Sequence, residues 1–224
     1  MKIIFRDDIE RDVENWQASL ATQNNYVGDF KEKYLPKDVS PEKIGDKEYL
    51  RGYLDERFYK IGKISEFKEW LEANTNSAEI QEDLEGLMGR KFLSEVISAY
   101  ITALGLGRYY VQGNLFYVIY RSPERDRKMR ITNIYHELMH FLFHWHYWDQ
   151  CTEAGLSEQE IHNLKESLTV LLDSILEKRG LPPDGGYPVH AELRKQWTVL
   201  YRENPNFPAF LEKAIPLYKE SLGK

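Results

Sequence analysis

The stretch that most constrains this chain is Tyr135-His136-Glu137-Leu138-Met139-His140-Phe141-Leu142-Phe143. Two histidines stand four residues apart, a glutamate directly follows the first, and the surrounding segment is apolar enough to read as a helix. On a helix, residues four apart share a face and lie about 6 Å apart along the axis. His136 and His140 are therefore spaced to hold one metal ion together. Glu137 sits about 100° round from His136, at the edge of that face, where it can hold a water on the metal. Two imidazoles and a carboxylate suit zinc, which lowers the pKa of bound water to near 7. Glu137 would take the proton from that water as it attacks a carbonyl.

The flanks point to burial. Ile134, Leu138, Phe141, Leu142 and Trp145 make a broad apolar back face. Polar groups on a buried helix need partners, because each one left unpaired costs on the order of 1–3 kcal/mol. A metal supplies that partner; a polar cluster that satisfies itself is the alternative.

These residues resemble the zincin metallopeptidases. Ile134, Leu138, Met139 and Phe141 meet that family's demand for uncharged residues within and around the motif, and Leu142 supplies the apolar residue that follows. Asn133 departs from it, where the family usually has Val or Thr. The resemblance implies a zinc-dependent peptidase in which His136 and His140 bind Zn²⁺ and Glu137 is the general base. It also implies a peptide or protein substrate, laid along an edge strand by β-augmentation.

Three residues compete to be the third ligand. His146 follows His140 by six residues, the spacing of the metzincin branch. Phe143 replaces that motif's glycine, and a left-handed helix exit costs Phe about 1–2 kcal/mol. No Met follows Met139 to make the metzincin Met-turn. His144 continues the histidine stripe but lies about 12 Å along the axis from His136, too far to share one ion.

In the gluzincin branch the third ligand comes from the next helix. Ser157-Glu158-Gln159-Glu160 reads as a capping box opening such a helix, which runs to Lys178-Arg179 and stops at Gly180 before Pro182-Pro183. Glu160 has the nearer to usual spacing but already serves the capping box. Geometry favours Glu166. If the first helix ends near Trp148 and an antiparallel partner starts near Ser157, His140 lies about 12 Å before the turn and Glu166 about 13–14 Å after it. Glu160 would sit only about 5 Å past the turn. Asp173 is a candidate to orient a ligand from behind.

The 224 residues suit a single zincin-like domain over 1–224, with a helical N-terminal extension over 1–75 marked off by Asn74-Thr75-Asn76-Ser77. The net charge is −6, and the only basic cluster, Arg125-Asp126-Arg127-Lys128-Met129-Arg130, is broken by an acid and reads as a solvated loop. That argues against a nucleic-acid partner. The single cysteine, Cys151, falls between the two motif helices and excludes an internal disulfide. No apolar run approaches a membrane span and none resembles a leader, so a cytoplasmic protein without a membrane partner is expected.

Along the chain, residues 2–6 read as a strand, and Ile9, Val13, Trp16 and Leu20 as a helix. Residues 23–48 read as irregular, Tyr53–Ile61 as helical or mixed, and Ile64–Asn74 as a short helix. A long helix is expected over Ala78–Leu104, with Phe92, Val96, Ile97, Tyr100 and Leu104 on its core face. Arg108–Gln112 and Leu115–Tyr120 read as a hairpin turning at Gly113-Asn114. Two further helices follow, from His190 to Tyr201 and from Pro208, with a kink at Pro216. Tyr187, His190 and Tyr201 are candidates to stabilise an oxyanion.

The expectation is an α+β fold, mostly helical, with a small antiparallel sheet packed on a zincin-like pair of helices. The expected function is zinc-dependent peptide-bond hydrolysis of narrow specificity. The competing readings are a non-catalytic zinc-binding or decayed zincin protein that serves partner binding, and a phage- or toxin-type accessory protein.

Overall fold

A computed structural model describes residues 1–24, 28–120 and 127–223. The chain divides into two compact units, each discontinuous in sequence.

One unit comprises Lys2–Thr75 and Val96–Arg130. Its centre is a four-stranded sheet of β1 (Lys2–Arg6), β4 (Val96–Thr102), β6 (Leu115–Ile119) and β5 (Tyr109–Tyr110), in the order β1-β4-β6-β5. β4 runs parallel to both β1 and β6, pairing Ile3 with Ile97 and Tyr100 with Tyr117. β5 is antiparallel to its neighbour in this sheet, β6. The sheet is therefore mixed, not antiparallel as expected. The cause is β4 itself, which was expected to lie inside a helix over Ala78–Leu104.

That helix, α5 (Ser77–Met88), ends where Gly89 takes a left-handed backbone, φ 65°. Beyond it, Val96-Ile97-Ser98-Ala99-Tyr100-Ile101-Thr102 alternates with period two, burying Ile97, Ala99 and Ile101 on one face. β-branched residues at that period favour a strand. The hairpin forms, with Asn114 left-handed at φ 46°, but a short helical turn over Val111–Gly113 leaves β5 only two residues long.

Around the sheet lie α1 (Ile9–Leu20), α2 (Phe30–Tyr34), α3 (Lys47–Leu54) and α4 (Lys63–Asn74). The short strands β2 (Gln23–Asn24) and β3 (Gly28–Asp29) pair with each other. Among the described residues of 23–48, expected to be irregular, these two strands and α2 form regular structure. Asp8 caps α1, accepting from the amides of Glu10 and Arg11. Helix α1 buries Val13, Trp16 and Leu20 on one stripe and also carries buried Asp12, Asn15 and Ser19. These polar residues stitch α1 to the segment after β4. Thr102 Oγ1 donates to Asp12 at 2.6 Å, the Ala103 amide at 2.9 Å, and Asn15 Nδ2 donates to the Leu106 carbonyl at 2.9 Å.

The second unit comprises Met1, Asn76–Glu95 and Ile131–Lys224. Besides α5 it holds α6 (Arg127–Glu153) from Ile131 on, α7 (Glu158–Leu168), α8 (Asp173–Lys178), α9 (Ala191–Glu203) and α10 (Phe207–Ser221). Residues 127–130, expected in a loop over 122–130, open α6; the rest of that loop, 122–126, lies outside the described residues. Cys151 falls in the last turn of α6 rather than between helices, and burial pushes its thiol up to about 12, which leaves it inert. Helix α10 continues through Pro216. Among the described residues, no helix is long and apolar enough to cross a membrane.

Candidate metal centre

Helix α6 is apolar almost all round. Ile134, Tyr135, Leu138, Met139, Phe141, Leu142, Phe143 and Tyr147 are all buried. A helix with so wide an apolar surface belongs in a core, so its polar residues must be satisfied there. The helix ends in a Schellman turn: Gly155 is left-handed at φ 83°, Leu156 N donates to Cys151 O and Gly155 N to Thr152 O. Helix α7 opens at once. Ser157 is its N-cap, and its amide donates to Glu160 Oε2 at 2.8 Å, closing the capping box.

This tight reversal makes the two helices antiparallel. Trp148 meets His162, with ring centroids 5.0 Å apart, while farther from the turn His140 meets Glu166. Ile161, Leu164 and Leu168 form the buried stripe of α7. The helix does not run unbroken to Lys178, because a tighter turn over Thr169–Leu172 separates it from α8. Gly180, left-handed at φ 65°, ends α8.

His136, His140 and Glu166 converge. Each offers one ligand atom, and these atoms lie within 4.8 Å of one another. Nε2 of His136 is 2.8 Å from Nε2 of His140. Glu166 Oε2 lies 3.4 Å from the first of these nitrogens and Oε1 lies 3.2 Å from the second. Ligands about 2.0–2.1 Å from a tetrahedral zinc stand about 3.3 Å apart. Each carboxylate distance is near that edge but runs to a different oxygen, so one oxygen must turn toward both imidazoles, which themselves need to open by about half an ångström. The set of two imidazole nitrogens and one carboxylate oxygen is also one that zinc takes. The residues present therefore fit the ion.

Glu160, His146, His144 and Tyr201 are engaged elsewhere. Glu160 stays in the capping box. His146 Nε2 is 2.8 Å from the Lys91 carbonyl, and His144 stacks on Trp148 with ring centroids 4.6 Å apart. Tyr201 donates to the Leu87 carbonyl. His190 is buried, and burial lowers its pKa, while the nearby Glu166 charge works in the opposite direction.

The residue behind His136 is Asp184, not Asp173. Oδ1 of Asp184 lies 3.1 Å from Nδ1 of His136. Asp173 stands one step farther back, accepting the Asp184 amide at 2.8 Å. Arg194, from α9, approaches Oδ2 of Asp184 at 3.3 Å, donates to its carbonyl, and donates to Thr169 Oγ1 at 2.7 Å. Gly186 makes room for this guanidinium: a Cβ there would lie 2.6 Å from Arg194 Cζ, on a backbone with φ +57°. Thr132 Oγ1 donates to the Pro182 carbonyl at 2.8 Å and ties the same loop to α6. Asp184 lies in a Pro- and Gly-rich loop without periodicity. Its only sequence signal was a lone acid, Asp184, among Pro182, Pro183, Gly185 and Gly186.

Buried charges set the electrostatics. Burial disfavours protonated His136, but the carboxylates of Asp184 and Glu166 outweigh it and raise its pKa well above the ordinary value. Burial, with Lys165 nearby, lowers His140 to about 3. Burial also works against the charges of Glu166 and Asp184. Lys165 and the histidines nevertheless hold Glu166 well below the usual carboxylate range, and His136 and Arg194 bring Asp184 to about 2. Glu137 differs: burial pushes its carboxyl up to about 7. A carboxyl group near neutral pH can both accept and return a proton.

No protein family, curated protein or solved structure matches the chain.

Proposed function

We propose that the protein is a zinc-dependent hydrolase acting on peptide bonds, with His136, His140 and Glu166 as the ligands and Glu137 as the general base. The observation that carries this reading is the meeting of three ligand atoms within 4.8 Å. The sequence position of Glu137, directly after the first ligand, supports it, as does the resemblance to zincins. When bound, zinc polarises a carbonyl and lowers the pKa of its water. Asp184 would hold the Nδ1 proton of His136, so that Nε2, once it gives up its own proton, could ligate beside His140 and Glu166. Glu137 takes a proton from the attacking water at a carboxylate oxygen and passes it to the leaving nitrogen. A peptide or protein is the substrate this chemistry fits.

One observation favours a second reading, a buried polar cluster complete without a metal. Lys165 Nζ lies 2.8 Å from Glu166 Oε1 and already pairs that carboxylate. Elemental mass spectrometry on wild type, His136→Ala and Glu166→Ala separates the two. The metal reading expects near-stoichiometric zinc in wild type, lost in both variants. Wild type that takes up no metal from supplied zinc would leave the polar cluster as the answer.

A further inference from the structure

Lys165 has no part in the reaction just described, yet it is placed with care. Its side chain is 3% exposed, and Nζ lies 2.8 Å from Oε1 of Glu166, the next residue on α7. Successive helix residues point about 100° apart, so the lysine stem must curl back to reach its neighbour's carboxylate. A lysine with access to water extends its ammonium outward instead. Burying an ammonium is costly unless it is paired, and Glu166 provides a partner.

The two oxygens of Glu166 have different surroundings. Oε1 meets Lys165 and lies 3.2 Å from His140 Nε2. Oε2 lies 3.4 Å from His136 Nε2 and, among the described residues, meets no donor with hydrogen-bond geometry. One oxygen is held by a cation while the other remains available to a ligand-seeking ion.

We propose that Lys165 competes with the metal for Glu166 and, once the metal is bound, restricts that carboxylate to a single ligating oxygen. This inference rests on the metal reading of His136, His140 and Glu166 above. Two effects follow from the geometry. With no metal bound, the ammonium is the counter-charge of Glu166, so an incoming dication must displace part of an existing ion pair. With the metal bound, the ammonium stays one carboxylate away from a double positive charge in a buried site, where such repulsion is poorly screened. Both effects lower affinity below what the three donors alone would give. The site then fills and empties with the surrounding zinc level instead of holding its ion permanently.

The test is a chelator-competition titration with Zn²⁺ on wild type, Lys165→Met and Lys165→Arg, all at one fixed pH. Lys165→Met keeps the stem and removes the charge; it is expected to bind zinc at least about tenfold more tightly, because it removes a nearby cation. Lys165→Arg keeps the charge and should stay near wild type. Visible spectra with Co²⁺ give a second readout. In Lys165→Met, Oε1 is released to ligate, and the bands should weaken as the coordination number rises. Zinc binding in wild type with equal or weaker binding in Lys165→Met would overturn the role of Lys165 and leave the metal site standing. No zinc binding in wild type or in Lys165→Met would overturn the metal site and this role together.

Discussion

Nδ1 of His136 lies 3.1 Å from Oδ1 of Asp184, although the two residues are 48 positions apart in sequence. The carboxylate orients the imidazole and is itself held by Arg194. Partners of this kind typically change metal affinity by about 10–100-fold. Asp184→Asn should therefore weaken zinc binding by about that factor, with the helical circular dichroism unchanged. An unchanged dissociation constant would remove Asp184 from the site.

Glu137→Gln is nearly isosteric but cannot hold a proton in transit. Zinc should remain stoichiometric while peptide hydrolysis falls by about 10²–10⁴-fold, the range of a lost general base. Peptidase turnover measured against metal content checks this. Full turnover in the variant would place the base elsewhere.

Gly186→Ala tests the cradle behind Asp184. The backbone is left-handed, and the new methyl would sit 2.6 Å from Arg194 Cζ. That guanidinium is pinned by Asp184 and Thr169, so it cannot swing away without losing hydrogen bonds. A loss of roughly 1–3 kcal/mol is expected from backbone strain and the broken network. Urea denaturation midpoints would show it, and zinc affinity should fall alongside.

Asp12 gives the other unit a pH dependence. Burial raises its pKa from 3.8 to about 6, despite hydrogen bonds from Thr102, Ala103 and Tyr59. Between those two values the folded state binds more protons than the unfolded chain, so stability falls as pH rises. The contribution is fully present below about 4 and is lost as pH passes about 6, up to roughly 3 kcal/mol in all. Asp12→Asn should flatten that part of the profile, measured as the denaturation midpoint from pH 4 to 7. Equal slopes in wild type and variant would refute the assignment.

What the sequence by itself determined is what neighbouring residues decide. His136 and His140 share a face because helical period places them there, and Ser157 with Glu160 opens α7 because their hydrogen bonds span three residues. Gly180 ends α8 and Asn114 turns the hairpin because both adopt left-handed backbones. The α+β class was legible for the same reason. The apolar residues over Val96–Thr102 were taken for the core face of a helix, so the hairpin was read without the strand that β6 pairs with, and the sheet direction was misjudged.

Only the tertiary structure decided the rest. That Glu166 meets the histidines, while Glu160 does not, depends on how two antiparallel helices register against each other. Helix α6 runs to Glu153, beyond the expected end at Trp148, so counting residues from the turn could not fix that register. Asp184, Arg194 and Lys165 leave no periodic trace. A buried carboxylate acquires its partners only when a loop, a second helix and a glycine with room for a guanidinium converge, and that convergence is enforced by the cost of leaving charge unpaired in the core.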